Sequence, residues 1–268
     1  MKIAHEAPMS IMDDVRTKTD YCYALVHLFP ERTDYFNFFR HSLHRGRKVI
    51  LDNSLFELGD AFDAVQYVQW INELEPTEFI IPDALGDTEK TLKLSTDFLD
   101  NCAGAVESVS VPIGVVQGST YEEMCHCYKE MDTTLGCKKI AFAFISKAFT
   151  SAFPHPNNYV SMSMGRVLVL SRMLRERVIN TTKPHHLLGC MHPREFSFYT
   201  GPEFHWIDTI DTSSPVVHGI KGILYSEVMG TWEKESTKVV DLLDAVLDAN
   251  QIWHIMSNIK KFREYTTP

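Results

Sequence analysis

Short apolar runs alternate along this chain with longer amphipathic stretches, the pattern that parallel strands and their covering helices leave in a sequence. Seven runs read as strands: Tyr23–Phe29, Lys48–Asp52, Glu78–Asp83, Pro112–Gln117, Lys139–Ile145, His185–Gly189 and Trp206–Asp211. Gly219–Tyr225 is the candidate for an eighth. Between the runs, Phe62–Leu74 sets Phe62, Val65, Tyr67, Val68 and Ile71 at the spacing of one buried helical stripe, and Arg166–Val178 and Lys238–Leu247 behave likewise. Thr88 and Thr120 stand at helix starts, the second with Glu123 at capping-box distance. Ser146–Gly165 reads as one extended loop, a length that in compact domains is usually functional or mobile. No internal repeat, low-complexity tract or linker interrupts this order. The expected fold is α/β, a (β/α)8 TIM barrel forming a single domain over residues 1–268, since such barrels close at about 250 residues.

Composition narrows the setting. With 44% hydrophobic residues the chain can bury a full core. It has no apolar run of about 18 residues and no signal-peptide pattern at its start, so a soluble, cytoplasmic protein with no membrane partner is expected. Six cysteines without a disulfide-framework spacing suit free thiols in a reducing compartment. A formal charge of −9 argues against coating nucleic acid nonspecifically, because that affinity comes from neutralising phosphates, yet it leaves room for a local basic rim. Arg40–Lys48 precedes the second predicted strand and so belongs to the opposite, amino-terminal face. Lys147, Arg166, His192, Arg194, His218 and Lys221 follow strands, and are the better candidates for phosphate contacts.

In a barrel of this kind the chemistry sits at the carboxyl ends of the strands. Asp52, Asp83, Gln117 and Asp211 close four of the predicted strands. One such residue commonly does no more than start a turn, but four at equivalent positions argue for a site. Strand alternation groups Asp52 with Ile50, Asp83 with Phe79 and Ile81, and Gln117 with Ile113 and Val115, and predicts that all three polar groups point inward. In the last strand the same alternation separates Asp208 from Asp211. Asp211, nearer the rim, is the preferred catalytic acid, and Asp208 is expected to face the outer helices. Asp87 reads equally well as a helix cap. Cys125-His126-Cys127 lies mid-helix, where adjacent side chains diverge, so it does not read as a metal site. His185-His186 begins a strand and reads as structural.

Five segments carry a family resemblance: LDNSLFELG (51–59), IPDALGD (81–87), IGVVQGS (113–119), HHLLGCMHP (185–193) and WIDTIDTSSP (206–215). In this order, over about 165 residues, they resemble segments of the queuine and archaeosine tRNA-guanine transglycosylases, and more closely those of short phage and bacterial relatives that place 7-deazaguanines in DNA. The resemblance implies Asp52 as acid/base and Asp211 as nucleophile. It implies Asp83 and the Gln117-Gly118 pair as readers of the guanine edge, Phe56 and Leu188 as the walls around the ring, and Gly118 and Gly189 as points of close backbone approach. No metal and no organic cofactor are called for.

The departures also inform. The tRNA enzymes typically carry Asp-Ser-Gly-Gly-aromatic where this chain has Asp52-Asn53-Ser54-Leu55-Phe56. The glycine pair expected after the fifth strand is replaced by Ala141-Phe142-Ala143-Phe144. No cysteine follows Cys190, so the Cys-x-Cys-x2-Cys…His zinc site and its subdomain are expected to be absent. The implied reaction exchanges guanine in DNA for a 7-deazaguanine such as 7-cyano-7-deazaguanine through a covalent aspartyl intermediate. Its partners are DNA, or alternatively tRNA, and the free base, with the target nucleotide out of the stack. The shortness of the chain and the missing zinc region favour DNA. Among rivals, a metal-dependent amidohydrolase lacks its His-x-His, since only His27 stands at the end of the first predicted strand. A phosphate-sugar isomerase lacks its late glycine-rich loop. A catalytically silent nucleic-acid-binding barrel is the third alternative.

Overall fold

In a computed structural model of the chain, which describes residues 1–225 and 238–267, eight short parallel strands form one sheet. They are β1 (Lys2–Ala4), β2 (Cys22–Leu25), β3 (Val49–Asp52), β4 (Glu78–Ile80), β5 (Val111–Val116), β6 (Lys139–Phe142), β7 (His185–Leu187) and β8 (Ile207–Asp211). The order is β1-β8-β7-β6-β5-β4-β3-β2. Its two ends are drawn together through Asp20: the Asp20 N–H donates to the Ile3 carbonyl at 2.8 Å, and its carboxylate accepts the Ile3 N–H at 2.8 Å. The result is the nearly closed (β/α)8 barrel that the alternation predicts.

The missing eighth strand is the first one. At three residues, β1 is too short to show a period, whereas Gly219–Tyr225 closes a helix and turns at Gly222, with φ +75°. The helices are α1 (Met12–Arg16), α2 (Thr33–His44), α3 (Leu55–Leu58), α4 (Ala64–Leu74), α5 (Thr88–Asn101), α6 (Tyr121–Lys129), α7 (Lys147–Ala152), α8 (Asn158–Arg175), α9 (Ser214–Ile220) and α10 (Ala249–Tyr265). Among the described residues none is long and apolar enough to cross a membrane.

Three helical expectations need correction. The supposed loop Ser146–Gly165 holds α7 and the first half of α8; a Cβ on Gly165 would lie 1.9 Å from the Phe149 carbonyl oxygen, so its glycine marks a helix crossing, not a break. Lys238–Leu247 contains only a 3-10 turn, Val239–Leu242, while the long C-terminal helix is α10, started by an Asp248/Gln251 capping box. Asp87 rather than Thr88 caps α5, accepting the Lys90 N–H at 3.0 Å. The Thr120/Glu123 capping box of α6 forms as predicted.

Which way each strand faces decides what reaches the site. In β5, a Cβ on Gly114 would press on Met131 and Cys137, so Gly114 faces the helices and Ile113, Val115 and Gln117 face inward, as alternation requires. In β4 the expectation is reversed. Phe79 packs on Tyr67 of α4 and Phe98 of α5, at 6.2 and 6.1 Å between ring centres, so Glu78 and Ile80 hold the inner face. Asp83 still reaches the barrel mouth because it lies beyond the end of β4 at Ile80, where its carboxylate is held by Asn53 and Gln117. In β8, Asp208 does not face the helices. Lys139 Nζ of β6 lies 2.7 Å from Glu78 of β4 and 3.5 Å from Asp208 of β8, and Asp208 also accepts from Lys2 at 2.8 Å. These strands are not neighbours, so the charges meet across the interior, at the amino-terminal end of the barrel. The cause is a β-bulge: His185 pairs with Ile207 and His186 with Thr209, which leaves Asp208 as an extra residue. Asp208 and Asp211 therefore both point inward, at opposite ends.

Candidate functional site

At the carboxyl ends of the strands a cavity of about 310 Å³ opens, and its lining includes Asp52, Asp83, Gln117 and Asp211. Phe56, Leu188 and Gly189 line it as well. Gly118 does not: the close approach there is to α6, where an added Cβ would lie 2.8 Å from the Met124 nitrogen.

Asp52 ends β3 where the chain turns sharply into α3. The turn is built on Asp52 itself, whose Oδ1 accepts the Ser54 N–H at 2.5 Å, and on Ser54, which adopts φ +62°. Ser54 occupies a left-handed conformation that suits glycine. Oδ2 of Asp52 accepts from the Tyr23 hydroxyl, delivered from β2 in register, since Tyr23 pairs with Ile50 and Leu25 with Asp52. Burial pushes the Asp52 carboxyl up to about 8, the nearby Glu57 charge adds to this, and the Tyr23 and Ser54 hydrogen bonds oppose it. This carboxyl therefore holds its proton more strongly than an ordinary carboxylic acid.

Asp83 is held from two sides: Asn53 Nδ2 donates to one oxygen at 2.8 Å and Gln117 Nε2 to the other at 2.8 Å. Gln117 in turn accepts the Gly86 N–H on Oε1 at 3.0 Å. Burial raises the Asp83 carboxyl to about 6 against the pull of those two amides. The cluster is pre-formed, and each carboxylate oxygen retains acceptor capacity toward the cavity.

Asp211, at the end of β8, receives His186 Nε2 at 2.9 Å and the Gly189 N–H at 3.2 Å, both on Oδ1. That leaves Oδ2 for the cavity. Gly189 has φ +58°, and a Cβ there would sit 2.5 Å from the Phe144 ring, so both backbone and space demand glycine. The Leu188 and Gly189 carbonyls are gripped from behind by Arg166, at 2.8 and 3.0 Å. Arg166 is fully buried and forked onto Glu195 at 2.5 and 3.1 Å, so it shapes the pocket wall and is not the phosphate contact expected of it. His192 and His218 are likewise buried, whereas Lys147 and Lys221 are exposed and Arg194 half-exposed.

Several site residues escaped the sequence reading. Tyr23 reads as the start of a strand running to Phe29; that strand is instead β2, which ends at Leu25 before a 3-10 turn at Val26–Leu28, and this places Tyr23 two residues from the strand end on the inner face. Phe144 meets Phe56 edge-on at 5.3 Å between ring centres and lines the cavity with it. Glu6, Glu57 and Tyr159 also line the cavity, as does Lys238, whose Nζ donates to the Glu57 carbonyl at 2.9 Å. His186, read as structural, is buried directly behind Asp211 and stacked in parallel on Tyr23 at 5.9 Å. Among the described residues no group of three His, Cys, Asp or Glu side chains is arranged to hold a metal ion.

Chemically, the arrangement offers a proton donor, an oxygen nucleophile in the same cavity, and a polar cluster of amides and a carboxylate bordered by aromatic and aliphatic walls. The chain matches no family model and no curated protein.

Proposed function

We propose that this protein is a base-exchanging transglycosylase, which replaces guanine in a polynucleotide, DNA in the first instance, by a 7-deazaguanine such as 7-cyano-7-deazaguanine. The observation that carries the reading is one cavity lined by two acids, Asp52, buried and raised above the ordinary carboxylate range, and Asp211, pinned on one oxygen and open on the other. Retaining exchange at C1′ needs that division of labour.

In the first half-reaction Asp211 Oδ2 attacks C1′ and the C1′–N9 bond breaks. Its electron pair passes to the guanine, which takes up the Asp52 proton. Guanine leaves, and the incoming 7-deazaguanine gives its N9 proton to the Asp52 carboxylate as N9 attacks C1′ and displaces Asp211. The proton count closes over one cycle. Asp83 and Gln117 offer both acceptors and donors to the edge of a purine-like ring. Phe56 and Leu188 offer it apolar faces.

Incorporation of labelled guanine and of labelled 7-cyano-7-deazaguanine, measured side by side on DNA and tRNA, tests the reading. Label entering DNA supports it; label entering tRNA alone moves the substrate to tRNA. Absence of label from both, with guanine also unreleased, would falsify base exchange.

A further inference from the structure

We propose that His186 is a positioning residue for Asp211, held by Thr209 as the neutral tautomer that carries its proton on Nε2. The transglycosylase reading supplies the reaction this would serve. The hydrogen bonds and their donor order stand without it.

His186 is fully buried and contributes nothing to the cavity lining, so it cannot touch a substrate; Asp211 lies between. Each ring nitrogen has one partner: Nε2 is 2.9 Å from Asp211 Oδ1 and Nδ1 is 2.8 Å from Thr209 Oγ1. A neutral imidazole has one donor and one acceptor, and an ionised carboxylate only accepts. Nε2 must then carry the hydrogen, and Nδ1 must accept from the Thr209 hydroxyl. Burial disfavours the charged ring, in keeping with this neutral form.

The bulge at Asp208 makes the arrangement possible. In an unbroken strand whose Asp208 faces inward, Thr209 would face the helices. The extra residue turns Thr209 inward beside its register partner His186, and two residues later turns Asp211 inward to meet the other side of the same ring. Asp211 Oδ1 is thus fixed between an imidazole N–H and the Gly189 N–H, which sets the direction in which Oδ2 is presented.

Two substitutions separate hydrogen bonding from packing. His186→Phe keeps a ring against Tyr23 but removes the donor. His186→Gln loses the ring but can place its Nε2 near the position of the imidazole Nε2. We expect His186→Phe to lower kcat by about 10- to 100-fold, the range for losing a hydrogen bond to a charged group, with KM for the polynucleotide within about 2-fold. His186→Gln should stay within about 10-fold of the wild type, Thr209→Val should fall between, and Thr209→Ser should recover. Packing as the only role predicts the reverse, with phenylalanine tolerated better than glutamine, and that order overturns the proposal.

A second measurement does not depend on activity. In 15N spectra of histidine-labelled wild-type protein at neutral pH, the His186 signals should show a protonated Nε2 and a bare Nδ1, and Thr209→Val should disturb that state. The opposite tautomer, or a doubly protonated ring, overturns the proposal whatever the kinetics. The expected tautomer in a protein without base exchange leaves the positioning role intact and removes the transglycosylase reading.

Discussion

Replacing Gly189 by alanine should destabilise the fold and slow the chemistry, through two separable costs. The first is conformational: Gly189 sits at φ +58°, and an L-residue there costs about 1–2 kcal/mol. The second is steric. The new Cβ would lie 2.5, 2.8 and 2.9 Å from three atoms of the Phe144 ring, which is itself wedged edge-on against Phe56 at 5.3 Å. Phe144 is half-buried and can shift, so overpacking of about 1–3 kcal/mol is the appropriate scale. Together these give roughly 2–5 kcal/mol, or a fall in Tm of roughly 5–15 °C for a domain of this size. Urea denaturation of Gly189→Ala, Phe144→Ala and the double variant forms a cycle that partitions the loss. If Phe144 is the obstacle, the double variant should recover about 1–3 kcal/mol relative to additivity, while the backbone cost persists. Single-variant stability equal to that of the wild type, or additivity in the double variant, would refute the reasoning. Activity should fall further than stability explains, because the Gly189 N–H is one of the two donors to Asp211.

Asp52→Asn should change stability in a pH-dependent way. The folded-state value of about 8 stands above the ordinary 3.8, so between about pH 4 and pH 8 the folded protein holds a proton that the unfolded chain has released. The Asp52 contribution to stability therefore declines through that window and levels off above it, and the variant, in which this position does not titrate, should gain on the wild type as pH rises. Urea melts at several pH values check this, and a gap that closes with rising pH sinks it. Arg166→Met should cost about 3–5 kcal/mol by stranding Glu195, and should reduce exchange even though Arg166 contributes no atom to the cavity. Stability near that of the wild type in urea would contradict the buried pair. Adducts with the polynucleotide, trapped on denaturing gels, should vanish in Asp211→Asn and persist in Asp208→Asn. The opposite result would reassign the nucleophile.

Much of the barrel can be read from residues whose pattern is local. The buried positions Tyr67, Val68 and Ile71 of α4, the capping box of α6 and the strand-end positions of Asp52, Gln117 and Asp211 depend only on spacing along the chain, whereas Val65, expected on the same stripe, is 65% exposed and Phe62 lies ahead of the helix. What escaped depends on contacts distant in sequence. β1 is three residues long and becomes a strand only beside β8. The glycine of α8 looks like a break until Phe149 is seen against it. Asp83 reached the expected place for a different reason, since it lies past the end of β4, where strand alternation no longer applies. Asp208 was misplaced because alternation assumes an unbroken strand, and a bulge is a property of a strand together with its neighbour. His186 carries no mark in the sequence to tell a buried spacer from a hydrogen-bond partner of Asp211.

The bulge also divides β8 into two independently editable halves. An insertion or deletion between Asp208 and Asp211 would invert the upper half, swinging Asp211 away from His186 and out of the cavity. The lower half would keep its frame, with Asp208 still facing Lys139 of β6 and Lys2 of β1. The segment most exposed to loss of chemistry is therefore decoupled from the charges that knit the base of the barrel. A change of length there is expected to empty the cavity of Asp211 while the ion pairs of Asp208 with Lys139 and Lys2 stay in place.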